Sequence, residues 1–256
     1  STLMILHVAN PIYDPVFKYI MSDERISKTI LSALLKKEVV KVEMRPHEYV
    51  TTTRDTLSMF RIDFAATIRE KDTESNEYKD RVILIELQKT WLDTETLRFR
   101  QYLGAQYSNK LNIRSDSPKG FAYPMVAVYL LGHRVGDIKE PVVYVNHDVY
   151  DYNGKVVKDG KEEPFVESLT HNSIIVQIPR LKGRVNNRLE KVLSVFDQSR
   201  KDAEDNQLLN IDANKYEDDA DMMYMLHRLT AAAADSEMRQ DMNVEDEYYK
   251  AKEDRD

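Results

Sequence analysis

No cysteine occurs anywhere in the 256 residues. That excludes a disulfide framework and any thiolate metal site. It also fits a reducing compartment, so a cytoplasmic location is expected. Glycine (7 residues) and proline (8) are scarce, which excludes long flexible linkers. There is no internal repeat and no glycine-rich phosphate loop. No apolar run approaches the roughly 20 residues of a membrane helix, so no membrane partner is expected. The opening STLMILHVANP has a short apolar run, but no basic segment before it and no small-residue cleavage site, so a secretory leader is not expected. The six histidines show no HExxH or paired metal spacing, and His7, His133 and His147 read as turn or surface residues.

What is present is charge and ordinary apolar content. Hydrophobic residues make up 42% and charged residues 32%, the balance of a soluble globular chain. The length predicts one large domain or a domain with an appendage. The net charge of −7 is unevenly spread along the chain. Residues 1–200 carry 30 Lys and Arg against 27 Asp and Glu, a balance of +3, while residues 201–256 carry 7 against 17, a balance of −10. The acidity belongs to the C-terminal segment, which the sequence sets apart as a helical, acidic extension over 201–256 following a domain over 1–200.

Periodicity predicts the elements. DPVFKYIM is a short helix with Pro15 in its first turn, and Asp14 reads as its cap. DERISKTILSALLKK follows, with Ile26, Ile30 and Leu34 on one helix face. EVVKVEM is a strand closed by Arg45-Pro46. LSMFRIDFAATIRE alternates: Ile62, Phe64, Ala66 and Ile68 share one face, with Arg61, Asp63, Ala65 and Thr67 on the other. After a polar turn, RVILIELQK is an apolar run of the kind found in a central strand covered on both faces. Glu86 and Gln88 share one face at its end. TETLRFRQYLGAQYSNKL is a long helix that Thr94 would cap, with Arg98, Tyr102 and Gln106 on one face. FAYPMVAVYLLG, PVVYVNHDVYD and SIIVQI are strands. RVNNRLEKVLSVF and DADMMYMLHRLTAAAADSEMR are helical, and Tyr248-Tyr249 belongs to a tail helix packed on the core.

The chemistry sits in the two central strands. Adjacent strands lie about 4.8 Å apart, so Asp63 and Glu86 can converge on one cation. Hard divalent ions take oxygen ligands, and magnesium uses one or two carboxylates and keeps several waters. The Leu87 carbonyl is a further candidate ligand. Gln88 points into the same site and can orient water or phosphate, but it cannot act as a strong base. The plain alternative is an ion pair between Arg61 and Asp63. Against that, VILIELQ is so apolar that Glu86 must be partly buried, and a buried carboxylate needs a partner or a metal. Lys89 falls on the opposite face from Gln88 and does not substitute for a catalytic lysine; Trp91 follows it.

Taken together, DPVFKYIM, RIDFAATI, ILIELQK and LRFRQYLGAQYSNKL make the chain resemble the PD-(D/E)XK nuclease superfamily, and within it the transposase-type, recombination-promoting nucleases. The resemblance covers roughly residues 10–131, with a weaker echo in LTAAAADSEMRQDMNVEDEYY. It implies a restriction-endonuclease-like α/β core, a central mixed sheet flanked by helices, with the active site at Asp63, Glu86 and Gln88. The implied metal ligands are Asp63, Glu86 and Leu87, for magnesium or manganese. Glutamine stands where the superfamily has lysine, as in relatives with Glu-x-Gln. Asp14 and Lys18 match the family's opening Asp-x-x-Phe-Lys. With Arg98, Tyr102 and Gln106 they are expected to support the site or contact phosphate. The implied activity is metal-dependent cleavage of DNA in recombination or mobile-element biology. A nuclease-fold binding module without turnover, and an RNA-directed or defence nuclease, remain alternatives, and a homodimer is left open.

Overall fold

The computed structural model describes residues 3–45, 60–72, 74–91, 93 and 96–253. In chain order its main elements are β1 (Ile5–Ala9), α1 (Asp14–Met21), α2 (Glu24–Leu35), β2 (Glu38–Arg45), β3 (Phe60–Lys71) and β4 (Tyr78–Thr90). These are followed by α3 (Thr96–Ser108), β5 (Met125–Leu131), β6 (Val142–Val145), α4 (Pro164–Leu169), β7 (Asn172–Gln177) and α5 (Arg188–Leu193). β8 (Leu208–Asp212), α6 (Ala220–Ala234) and α7 (Ser236–Glu253) complete the chain. The class is α/β, with a six-stranded mixed sheet and flanking helices. Among the described residues no helix is long and apolar enough to cross a membrane.

Contacts divide the chain into two units. The first comprises residues 1–37, 52–57 and 178–256, so the boundary expected near residue 200 falls inside it. Its helices are amphipathic, and Phe17, Ile20, Ile30, Leu34, Phe196, Met225 and Leu229 are buried at its centre. α2 is capped at its start by Asp23, whose side chain accepts the Ile26 N–H at 3.1 Å. It ends on Lys36 at φ 56°, the left-handed conformation common after a helix.

The opening apolar run is a strand, which the sequence pattern did not predict. β1 pairs antiparallel with β8, with Ile5 opposite Asp212 and Ala9 opposite Leu208. The two strands lie some 200 residues apart in the chain; β8 is also bridged by the segment just before it, through Lys201 opposite Leu209. The helical run expected over residues 219–239 is two helices. Asp235 leaves helical geometry (ψ 120°), and its carboxylate accepts the Met238 N–H at 2.9 Å, capping α7. α7 docks on α1: Met242 and Glu245 are buried, and Tyr13 donates its hydroxyl proton to Asp246 at 2.6 Å.

The second unit comprises residues 38–51 and 58–177 and holds the six-stranded sheet, in the order β2-β3-β4-β5-β7-β6. β2, β3 and β4 form an antiparallel meander; β4, β5 and β7 run parallel; β6 closes the far edge antiparallel to β7. β4 is therefore a central strand, as its apolar sequence predicts, and it is buried from Ile83 to Thr90. Arg45 ends β2; Pro46 lies outside the described residues. β5 is followed by Gly132, whose N–H donates to the Thr90 carbonyl at 2.7 Å. A Cβ on Gly132 would stand 2.6 Å from the Trp91 carbonyl oxygen, so the close approach of these two backbones requires glycine.

Candidate active site

The register of β3 against β4 sets the site. Asp63 lies directly opposite Glu86, and Arg61 directly opposite Gln88. Paired residues project to the same face, so four polar side chains meet there within a few ångströms. All are buried: Arg61 is 9% exposed, Asp63 6%, Glu86 1% and Gln88 0%. The other face carries Ile62, Phe64, Ile85 and Leu87, all buried apolar side chains. The alternation read from the sequence therefore holds on both strands.

The cluster is wired internally. Arg61 Nη2 donates to Asp63 Oδ2 at 2.9 Å, and Arg61 Nε stands 3.7 Å from Glu86 Oε1. Gln88 Nε2 donates to Glu86 Oε1 at 3.0 Å. Glu86 Oε2 and Gln88 Oε1 are buried with no hydrogen-bond partner among the described residues. Loss of solvent, reinforced by the facing Asp63 charge, pushes the Glu86 carboxyl from its ordinary 4.5 up to about 8, against the smaller opposing pull of Arg61 and Gln88. The Arg61–Asp63 ion pair and the buried carboxylate pair thus coexist in one site.

α3 covers this face. Tyr102 lies under the Arg61 guanidinium, 4.7 Å from ring centroid to Cζ, which gives the cation a flat aromatic support. Phe99 meets Tyr129 edge-on at 5.1 Å. Tyr129 was not singled out in the sequence. It pairs with Gln88 across the parallel β4–β5 ladder. Burial, with Glu86 nearby, pushes its phenol up to about 12. Only the alternation of MVAVYLL, read together with its register on β4, would have found it.

The other expected residues fall in different places. Gln106 is buried, but its side chain and backbone carbonyl both accept from Asn112 Nδ2, at 2.9 and 2.8 Å. Asn112 in turn accepts from Arg45, so Gln106 secures the turn after α3. Arg98 is half-buried on α3, and Thr94, the expected cap, lies outside the described residues. Leu87 is paired on both sides, with Ile62 and Val128, so its carbonyl lies in the plane of the ladder and not on the face that carries the carboxylates. Lys89 is buried on the opposite face from Gln88, with its ammonium 5.9 Å from the Phe60 ring and 5.8 Å from the Trp91 ring.

Asp14 and Lys18 lie on α1 in the first unit. Asp14 is not the cap expected from the sequence. Tyr13 holds the cap position without a side-chain bond, and the Asp14 N–H is taken by Glu245 Oε1 at 2.8 Å. A distant carboxylate does the capping because α7 brings it to the helix start, where the exposed N–H groups and the helix dipole favour an anion. Lys18 is exposed.

The donor chemistry of the sheet cluster suits a hard divalent ion: two facing carboxylates and the Gln88 amide oxygen, with Glu86 Oε2 and Gln88 Oε1 lacking partners among the described residues. Among the described residues no group of three or more His, Asp or Glu gathers as a metal site would. An ion bound here would complete its shell with water and phosphate, as magnesium commonly does. Comparison with protein-family profiles, curated proteins and solved structures returned no match.

Proposed function

We propose that the protein is a metal-dependent DNA endonuclease with a PD-(D/E)XK-type core, using Asp63 and Glu86 to hold magnesium or manganese and Gln88 to orient the reacting groups. One observation carries this reading: Asp63 and Glu86 face each other across β3 and β4, buried, with Gln88 beside them. When bound, a divalent ion supplies Lewis acidity to the phosphate and lowers the pKa of the attacking water. The chain's own residues do the rest. Gln88 anchors its amide nitrogen on Glu86 and presents its oxygen as a hydrogen-bond acceptor for water. An amide takes no proton at neutral pH, so Gln88 positions the water and does not deprotonate it. The apolar opposite face and α3 keep bulk water away from the carboxylates, which strengthens each charge interaction there.

The experiment is cleavage of supercoiled plasmid. Nicking or linearisation is expected with magnesium or manganese and none in chelator. An intact plasmid with both metals, across a broad range of pH and salt, overturns the proposal. A second reading, a nuclease fold that binds DNA without cutting it, is favoured by the Arg61 guanidinium lying against Asp63, since a cation already stands there. Duplex binding without cleavage, unchanged by metal, would establish that reading.

A further inference from the structure

Arg61 is placed where a bound cation would be. Its guanidinium is within ion-pair distance of both carboxylates, 2.9 Å from Asp63 and 3.7 Å from Glu86. It lies over Tyr102 and is nine-tenths buried. Gln88 is neutral and Lys89 is on the other face, so neither supplies that positive charge. A buried carboxylate pair requires positive compensation, and Arg61 stands within ion-pair distance of both members to supply it.

We infer that Arg61 is a resident counter-ion which a divalent cation displaces, and that the displaced guanidinium takes a phosphate of the DNA. The inference rests on the reading of Asp63 and Glu86 as cation ligands. A divalent ion and a guanidinium together would place three positive charges on two carboxylates, so each weakens the hold of the other. A phosphate resolves the competition. The planar guanidinium fork matches phosphate in a bidentate way. Tyr102 can keep supporting the cation while its polar edge turns from carboxylate to phosphate. Cation and DNA binding are then mutually dependent, and by linkage the dependence is reciprocal. The free protein holds metal weakly, and the DNA complex holds it well.

The test measures Mn2+ binding to the full chain from the electron paramagnetic resonance signal of free Mn2+, with and without a hydrolysis-resistant phosphorothioate duplex. In the wild type the duplex should tighten Mn2+ binding by about tenfold, within the usual range of coupling between two sites. Arg61→Gln should bind Mn2+ about tenfold tighter than wild type without DNA, and the duplex should add roughly nothing more. Equal Mn2+ affinity of wild type and Arg61→Gln without DNA overturns the inference and leaves the nuclease reading standing. No Mn2+ binding by either protein, with or without duplex, overturns the nuclease reading and the inference with it. Arg61→Gln leaves two buried carboxylates without their counter-ion and can unfold in chelator. Recovery of its thermal transition on adding Mn2+, by a larger shift than in wild type, also supports the inference. Should Arg61→Gln stay unfolded with metal, Arg61→Lys decides. A lysine lacks the fork and the stacked plane, so it should bind Mn2+ more tightly than wild type without DNA, and unchanged affinity overturns the inference.

Discussion

Glu86 is 1% exposed and faces another carboxylate, and its titration carries the sign of a stability change. Its folded pKa of about 8 lies above the ordinary 4.5, so between these values the folded chain holds a proton that the unfolded chain has lost. Stability from this group is present below about 4.5 and is lost as pH rises through about 8. Metal-free protein should lose on the order of a few kcal/mol across that window, because each tenfold change in proton affinity is worth about 1.4 kcal/mol. Thermal melts of Glu86→Gln against wild type isolate the group: the difference between them should change with pH, and a constant difference would refute the assignment. Asp63→Ala removes a ligand of the proposed metal site and also relieves repulsion on Glu86. It should abolish plasmid cleavage while circular dichroism reports an intact fold, and an unfolded variant would make Asp63 purely an anchor for Arg61. Gln88→Lys should keep or raise the initial nicking rate, because the added ammonium points at Glu86 from the same strand face. Complete loss of nicking would mean that the amide itself is required.

At the scale of elements, α7 is both a source of negative charge and a structural part of its unit. Glu245 accepts the Asp14 N–H, Asp246 holds Tyr13, and Met242 is fully buried. A chain ending at residue 236 would remove these contacts as well as the acids, so its DNA affinity would mix two effects. Glu245→Ala should cost about 1–3 kcal/mol, the usual penalty for leaving a buried donor unmet, read from a urea transition. The electrostatic role of the segment is tested separately by neutralising Glu237, Asp241 and Glu247, which are exposed. Glu237→Gln, Asp241→Asn and Glu247→Gln together should tighten duplex binding at low salt, with the gain vanishing at high salt as screening shortens the Debye length. Equal affinity at low salt would show that these acids serve only solubility.

Across the whole molecule the charge follows the units differently from the linear chain. The first unit carries 19 Lys and Arg against 23 Asp and Glu, net −4; the second, which holds the candidate site, carries 18 against 21, net −3. A division at residue 200 makes the N-terminal part mildly basic, whereas the folded units are both mildly acidic. Net charge therefore gives no attraction to a polyanion, and under the proposed function duplex binding would have to come from local cations and a bound metal. Duplex affinity measured by fluorescence anisotropy should be weak in chelator and rise with Mn2+. The slope of log affinity against log salt should be shallow, about −3 or smaller in magnitude, since few phosphates are neutralised. A slope of about −6 or steeper in chelator would reveal a clustered basic surface and refute this expectation.

Much of the arrangement follows from local pattern. Alternation in RIDFAATI puts Asp63 and Ile62 on opposite faces wherever that strand is placed, because the side-chain period of a strand is 2. The apolar run ILIELQK required a central strand, and β4 is one. The face of α2 that carries Ile26, Ile30 and Leu34 was legible from the helical period of 3.6, and all three are buried. What the pattern could not supply is everything set by partners far along the chain. β1 pairs with β8, some 200 residues away, and Asp14 gives up its capping role to Glu245, which α7 delivers. The register that sets Asp63 against Glu86 and Arg61 against Gln88 is a tertiary outcome: a slip of one residue would turn one strand's polar side chains to the other face. So the sequence by itself determined which residue types could make a carboxylate site and on which strand faces they stand. Only the tertiary structure decided that they meet, that Tyr102 and Tyr129 enclose them, and that Arg61 lies between the two carboxylates, because long-range pairing and packing, not local propensity, set those distances.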